Sequence, residues 1–193
     1  MPITVRSTCG MIEVEAKYLV ADVGGFEQAA MLWGGGRPPV ECRQCDEYFN
    51  HPCRDFDHTD EALRIRSCDG QTKVTYKGPR LDTVTKTREE LELGIPDAGS
   101  QPSGSVLRAL LLALGFTPAG CVNKTRRSFA GVVGDFPVTI SLDAVEGLPL
   151  YAEIEITCES SERGTATELV LRLAESFGLS QSERRSYLEL LGY

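Results

Sequence analysis

Apolar and polar residues alternate with period two over much of this chain. In residues 11–20 (MIEVEAKYLV), Glu13, Glu15 and Lys17 share one face and Ile12, Val14, Ala16 and Tyr18 the other, which predicts a β-strand. The same alternation predicts strands over 62–67, 71–78, 83–93, 120–131, 137–145 and 151–158. Asp69-Gly70 marks a tight turn between two of them. Helical candidates cover 26–33, stopped by Gly34, Gly35 and Gly36, and 106–114, with Ser105 as a cap and Gly115 as the stop. Two more close the chain at 165–177 and 181–191, the last preceded by the capping-box spacing Ser180-x-x-Glu183. A polar, cysteine-bearing stretch over 37–60 and a Gly/Pro/Ser-rich connection over 94–105 read as irregular. Strand, helix and strands recur after the connection, so two pseudo-repeated halves, about 11–93 and 105–158, are expected within one sheet. With the C-terminal helices at 165–191, the expectation is one domain spanning 1–193, an α+β fold with a closed or strongly curved antiparallel sheet and helices outside.

Charge narrows the function classes. The 193 residues carry 20 Lys and Arg against 28 Asp and Glu, a formal net charge of −8. That balance argues against a nucleic-acid coat or an anionic-membrane binder. Two histidines exclude a His-rich metal site, and seven cysteines (Cys9, Cys42, Cys45, Cys53, Cys68, Cys121, Cys158) are an odd number for a disulfide framework. The N-terminal sequence lacks a leader pattern, and no apolar run approaches the ~20 residues of a membrane span, so a reduced, cytoplasmic protein is expected.

The strands carry a second feature. Each pairs an apolar face with one that is charged rather than merely polar: Lys124 with Arg126, Asp143 with Thr139 and Ser141, Glu153 with Glu155. One solvated face is the rule for antiparallel sheets, so the charges could simply meet water. Alternatively, helices cover the apolar faces and the charges point into a barrel lumen; the strongly apolar helix at 106–114 favours this arrangement. A lumen of that kind offers hard oxygen ligands for Mg²⁺ or Mn²⁺ and guanidinium and ammonium donors for phosphate. A polyphosphate with its bound metal suits both sets.

Several segments together resemble a known family. Glu-Val-Glu-Ala-Lys at Glu13 to Lys17 resembles the ExExK signature of the CYTH domain, the triphosphate tunnel metalloenzymes. The resemblance continues in order through ALRIR, TYKGP, KTREELE, Lys124-x-Arg126 and LDAVEGLPLYAEIE. QCDEYFNHPCRDF before ALRIR and RSYLELLGY at the end are similar to the class IV adenylate cyclase (CyaB-like) group. Departures are Ser7-Thr8-Cys9-Gly10 where some bacterial cyclases carry His-Phe, and Pro149 where the family often has Gly.

The resemblance implies a closed eight-stranded antiparallel barrel holding a triphosphate. It implies metal ligation by Glu13, Glu15, Asp143, Glu153 and Glu155 with Mg²⁺ or Mn²⁺ as cofactor. Triphosphate contacts would come from Lys17, Arg64, Arg66, Lys77, Arg88, Lys124 and Arg126, with Lys17 and Arg126 in catalytic roles. The implied activity is metal-dependent cyclisation of ATP to cyclic AMP and pyrophosphate; a triphosphatase acting on inorganic, nucleoside or other organic triphosphate is the alternative, and a non-catalytic polyphosphate binder a third. The partner is a small-molecule triphosphate, with neither nucleic acid nor membrane, and the assembly a monomer or homodimer. Cys42-x-x-Cys45, near His51, Cys53 and His58, lacks the second paired motif of a zinc site and reads as loop thiols. Glu90 and Glu92 could face the lumen, where a salt bridge to a nearby Arg or Lys and a catalytic part are equal alternatives, so they carry no assigned role.

Overall fold

The computed structural model describes residues 11–97 and 102–193. Cys9, the Ser7–Gly10 departure and residues 98–101 of the connection lie outside them. The strands are β1 (Met11–Leu19), β2 (Val40–Asn50), β3 (Ala62–Cys68), β4 (Gln71–Lys77), β5 (Arg88–Pro96), β6 (Thr117–Val133), β7 (Phe136–Val145) and β8 (Tyr151–Glu159). The helices are α1 (Val23–Trp33), α2 (Phe56–Thr59), α3 (Ser103–Ala113), α4 (Arg163–Ser176) and α5 (Tyr187–Leu190). The strands close into an antiparallel barrel in the order β1-β5-β4-β3-β2-β6-β7-β8.

The apolar faces point outward and are roofed by helices. Val14, Ile140, Leu142, Ile154 and Ile156 are almost fully buried against Phe26 and Ala30 of α1 and Ala166, Val170 and Leu173 of α4. The hydrophobic core therefore lies between barrel and helices, and the charged faces are left for the lumen. Truncating one such isoleucine to Ala costs about 2–5 kcal/mol in comparable cores.

Five local expectations are corrected. The stretch read as irregular contains β2, the chain's link between the halves, paired with both β3 and β6. Its alternation was hidden because polar and charged side chains occupy both faces. The strand expected over 83–93 begins only at Arg88, because Asp82 accepts from the backbone of Val84 and Thr85 and folds 82–85 into a turn. The helix expected over 181–191 shrinks to α5, and its capping box is Ser186 with Glu189 rather than Ser180 with Glu183. Helix α3 begins after Pro102, with no side-chain cap at Ser105. It sits on β3 and β4 through Gly104, beside Ser67, Thr72 and Ile65, but leaves Val106, Leu110 and Leu114 exposed.

The cysteines are not all reduced: Cys42 of β2 and Cys68 of β3 form a disulfide, with Cα atoms 6.5 Å apart. Cys42 and Cys45 stand on β2, three residues apart, and so face opposite sides of the sheet. Cys45 instead lies beside Cys121 of β6, sulfur to sulfur 3.9 Å. The pair is neither loop thiols nor a zinc chelate.

The barrel closes unevenly. β1 pairs with β8 over its whole length, but with β5 at only two positions, Ile12↔Glu89 and Glu13↔Arg88. Below that point irregular segments complete the edge of β1. The Lys86 N–H donates to the Glu15 carbonyl (2.8 Å), the Glu183 N–H to Lys17 (2.8 Å), and the Leu19 N–H to Gln181 (3.0 Å).

Candidate active site

Period-two alternation sends one set of side chains from each strand into the barrel. They surround a cavity of about 380 Å³. Of the residues expected from sequence, Glu13, Glu15, Arg64, Arg66, Lys77, Arg88, Lys124, Arg126, Glu153 and Glu155 line it. Lys17 and Asp143 are more deeply buried, at 1% and 0% exposure, and stand behind that lining.

The bases and acids are already engaged with one another. Asp143 accepts from Lys124 Nζ (2.8 Å) and from Arg126 through two contacts (2.7 and 2.6 Å). Arg126 also donates to Glu153 and lies 3.9 Å from Glu155. Lys77 pairs with Glu90 and lies 3.6 Å from Glu13. Arg88 is 3.6 Å from Asp60 at the lumen wall. Lys17 donates to the Arg185 carbonyl, with its ammonium 4.1 Å from the centre of the Tyr187 ring. Arg64 reaches Thr75 (3.3 Å), but its Nε–H is buried without a hydrogen-bond partner. Arg64 is in the cavity lining, where a guanidinium is a strong donor for an anionic oxygen.

Electrostatics divide the carboxylates. Burial raises the Glu13 pKa well above normal; Lys77 opposes this, while Glu90, Glu155 and Glu15 add to it. Burial likewise raises Glu155, with Arg126 opposing and Glu15 and Glu153 adding. Burial would also raise Glu153, but Arg126, Lys124 and Lys86 outweigh it and hold its carboxyl well below the usual range. Burial, then Lys86, brings Lys17 down to about 7; burial, then Arg126, brings Lys124 down to about 8. Two carboxylates thus lack enough positive charge around them, which a divalent cation would supply.

The donor set suits Mg²⁺ or Mn²⁺, hard ions that take oxygen ligands. Among the described residues no three carboxylates bring oxygens within 4.8 Å of one another; the one grouping that tight is Cys42, Cys68 and Asp69. Mg²⁺ is commonly held by one or two carboxylates, with substrate phosphates and water completing its shell, so a preformed three-carboxylate cage is not required. Glu13, Glu15, Glu153 and Glu155 fit that pattern; both Asp143 oxygens are taken up by bases.

Three residues escaped the sequence reading. Asp46 of β2 holds Arg66 by two contacts of 2.6 Å and lies 3.6 Å from Arg64. Its signal was the alternation Gln44, Asp46, Tyr48, opposite a face that mixes Arg43 and Glu47 with Cys45 and Phe49. Lys86 shares the predicted face with Arg88 but precedes the strand; its Nζ lies 2.8 Å from Glu15. Tyr187 of α5 stands between Lys17 and Lys124, whose ammoniums lie 4.1 and 4.8 Å from its ring centre. Only the fold brings it there.

Known proteins resemble this chain along nearly its whole length. A protein of Methanocaldococcus jannaschii named "Putative adenylate cyclase" is 37% identical over 94% of this chain and 99% of its own length. The adenylate cyclase CyaB of Aeromonas hydrophila is 29% identical over 94% of this chain and 89% of its own. The solved structure of the PH1819 protein of Pyrococcus horikoshii superposes with a TM-score of 0.78 at 40% identity, covering 93% of this chain and 97% of that one. The CYTH domain profile matches residues 11–187, and the charged barrel it spans makes the conclusion plain: the chain belongs to the CYTH family.

Proposed function

We propose that this protein is a divalent-metal-dependent enzyme acting on a triphosphate, and that it cyclises ATP to cyclic AMP and pyrophosphate. The observation that carries the reading is the lumen itself. Cations from β3, β4, β5 and β6 and from the loop between β4 and β5 ring a cavity of about 380 Å³. The cyclase names of the relatives point to the same reaction.

In that reaction a bond forms between the ribose 3′-oxygen and the α-phosphorus. The bond from the α-phosphorus to the bridging oxygen breaks, pyrophosphate leaves with the electron pair, and the hydroxyl proton is lost. Arg64, Arg66, Lys77, Arg88 and Arg126 hold the phosphates in line and offset charge on the leaving group. Asp46 fixes the Arg66 fork and Asp143 fixes Arg126, so the donors are oriented before substrate arrives. Lys17 stands behind the lining, bound to the Arg185 carbonyl and against the Tyr187 ring, so it backs the wall of the site, and the hydroxyl proton passes to water. A divalent ion held by Glu13, Glu15, Glu153 and Glu155 would supply Lewis-acid charge to the phosphate oxygens.

Hydrolysis at the terminal phosphorus is the second reading, favoured by the lining. It is mostly charged, with Met11, Ile12 and Ala62 its aliphatic members and Tyr48 and Tyr187 its aromatic ones, so little surface recognises a base. Incubation with ATP and Mg²⁺ or Mn²⁺, with products separated, decides. Cyclic AMP with pyrophosphate is expected; ADP with phosphate would replace the cyclase reading by the hydrolase one. Glu153→Gln is expected to abolish metal-dependent turnover in either case, and full activity in that variant would refute the metal assignment.

A further inference from the structure

Lys86 is not an ordinary surface lysine. Its side chain is only 11% exposed, and its Nζ lies 2.8 Å from Glu15 and 4.0 Å from Glu153. The loop between β4 and β5 is built to deliver it. Asp82 accepts from the Val84 and Thr85 N–H groups and from the Thr85 hydroxyl; Thr85 and Thr87 hydroxyls pair at 2.6 Å; the Leu81 N–H donates to Thr87. Thr85 and Thr87 are buried, and the Lys86 N–H is tied to the Glu15 carbonyl. The side chain is thereby aimed between two carboxylates on neighbouring strands.

We propose that Lys86 is a resident cation: it occupies the gap between Glu15 and Glu153 that a divalent ion takes in the working enzyme, and is displaced when that ion binds. The inference rests on the metal reading above. An ammonium and a divalent cation cannot share one pair of carboxylates at contact distance, since their repulsion is strong even in the effective dielectric of a protein interior. The four-carbon stem lets the ammonium leave while the backbone stays tied. Its new partner within the cavity would be a phosphate oxygen of the substrate. Metal and triphosphate would then bind cooperatively, each favouring the displaced position. Without ligands, Lys86 is the contact cation of Glu15 and adds to the positive charge that Arg126 supplies at Glu153.

The test is Mn²⁺ alone, without nucleotide, titrated into the full chain and followed by the electron paramagnetic resonance signal of the free ion. Lys86→Met is expected to bind Mn²⁺ ~10-fold or more tightly than the parent, because the competing charge is gone. Lys86→Arg, which keeps the charge, is expected to stay close to the parent. Glu153→Gln should bind more weakly than either. Lys86→Gln replaces the Met variant if thermal unfolding shows that the latter is not folded. Equal or weaker affinity in the uncharged variant, with Glu153→Gln still impaired, would overturn the inference and leave the metal reading standing. Absence of Mn²⁺ binding in every protein, parent included, would overturn both.

Discussion

Asp46 shows how one side chain can govern several others. It is 1% exposed and faces both Arg64 and Arg66. Burial alone would raise its pKa, but Arg64 and Arg66 outweigh burial and hold the carboxyl well below its ordinary range. The folded state therefore binds this proton less readily than the unfolded chain. The stability it contributes is present above pH about 4 and is lost as the pH falls below that value. Asp46→Asn is expected to cost about 3–5 kcal/mol at neutral pH, since two buried guanidiniums lose their counter-charge. Chemical denaturation checks this. Tripolyphosphate should restore more thermal stability to the variant than to the parent, because the freed arginines gain a new anion. Lys17 and Arg64 were legible from alternation alone, since each sits on a strand with an apolar face, Ile12–Val14–Ala16–Tyr18 and Leu63–Ile65. Asp46 was not, because β2 carries charge on both faces and its partners lie on strands remote in sequence.

At the scale of elements, seating matters more than propensity. Helix α1 docks on β6 where Gly131 leaves room for Trp33: a Cβ there would fall 2.6 Å from the indole. Gly131→Ala is expected to cost about 1–3 kcal/mol by overpacking, read as a lower urea midpoint at constant slope. Gly164 in α4 makes the contrast, with open space around its Cα. Gly164→Ala should leave the midpoint unchanged or raise it, by up to about 1 kcal/mol. Strands with one apolar face, such as β7 and β8, were legible almost to the residue, because burial against α4 enforces period two. The start of β5 and the extent of α5 were not. The first is set by Asp82 turning the chain, the second by a capping box that begins six residues later than the one expected.

For the molecule as a whole, net charge is a poor guide to what the interior binds. The chain carries −8 overall, yet nine bases and six acids line its lumen cavity, an excess of positive charge. The barrel and its inward charges were legible in the order of charged strands. The pairing of those charges was not, because it depends on which strands become neighbours on closure. Glu13 and Glu155 have raised pKa values, so each tends to keep its proton in the folded state and resists ionising as the pH rises. A divalent ion displaces such protons, so it binds more tightly at higher pH. Mn²⁺ is expected to raise the melting temperature more at pH 7 than at pH 5, as differential scanning calorimetry would show; the reverse order would contradict the carboxylate assignment.

The two-rung contact between β1 and β5 has a mechanical consequence. A barrel has no free edge only while every seam holds, and here one seam is finished by a loop and by the chain's last segment. Local opening should begin there. The amides of Leu19, Lys86 and Glu183 would exchange with deuterated solvent ahead of the β7–β8 ladder. A pull on the C-terminus would peel away residues 181–183 and uncover the edge of β1 while the other seven seams stayed shut.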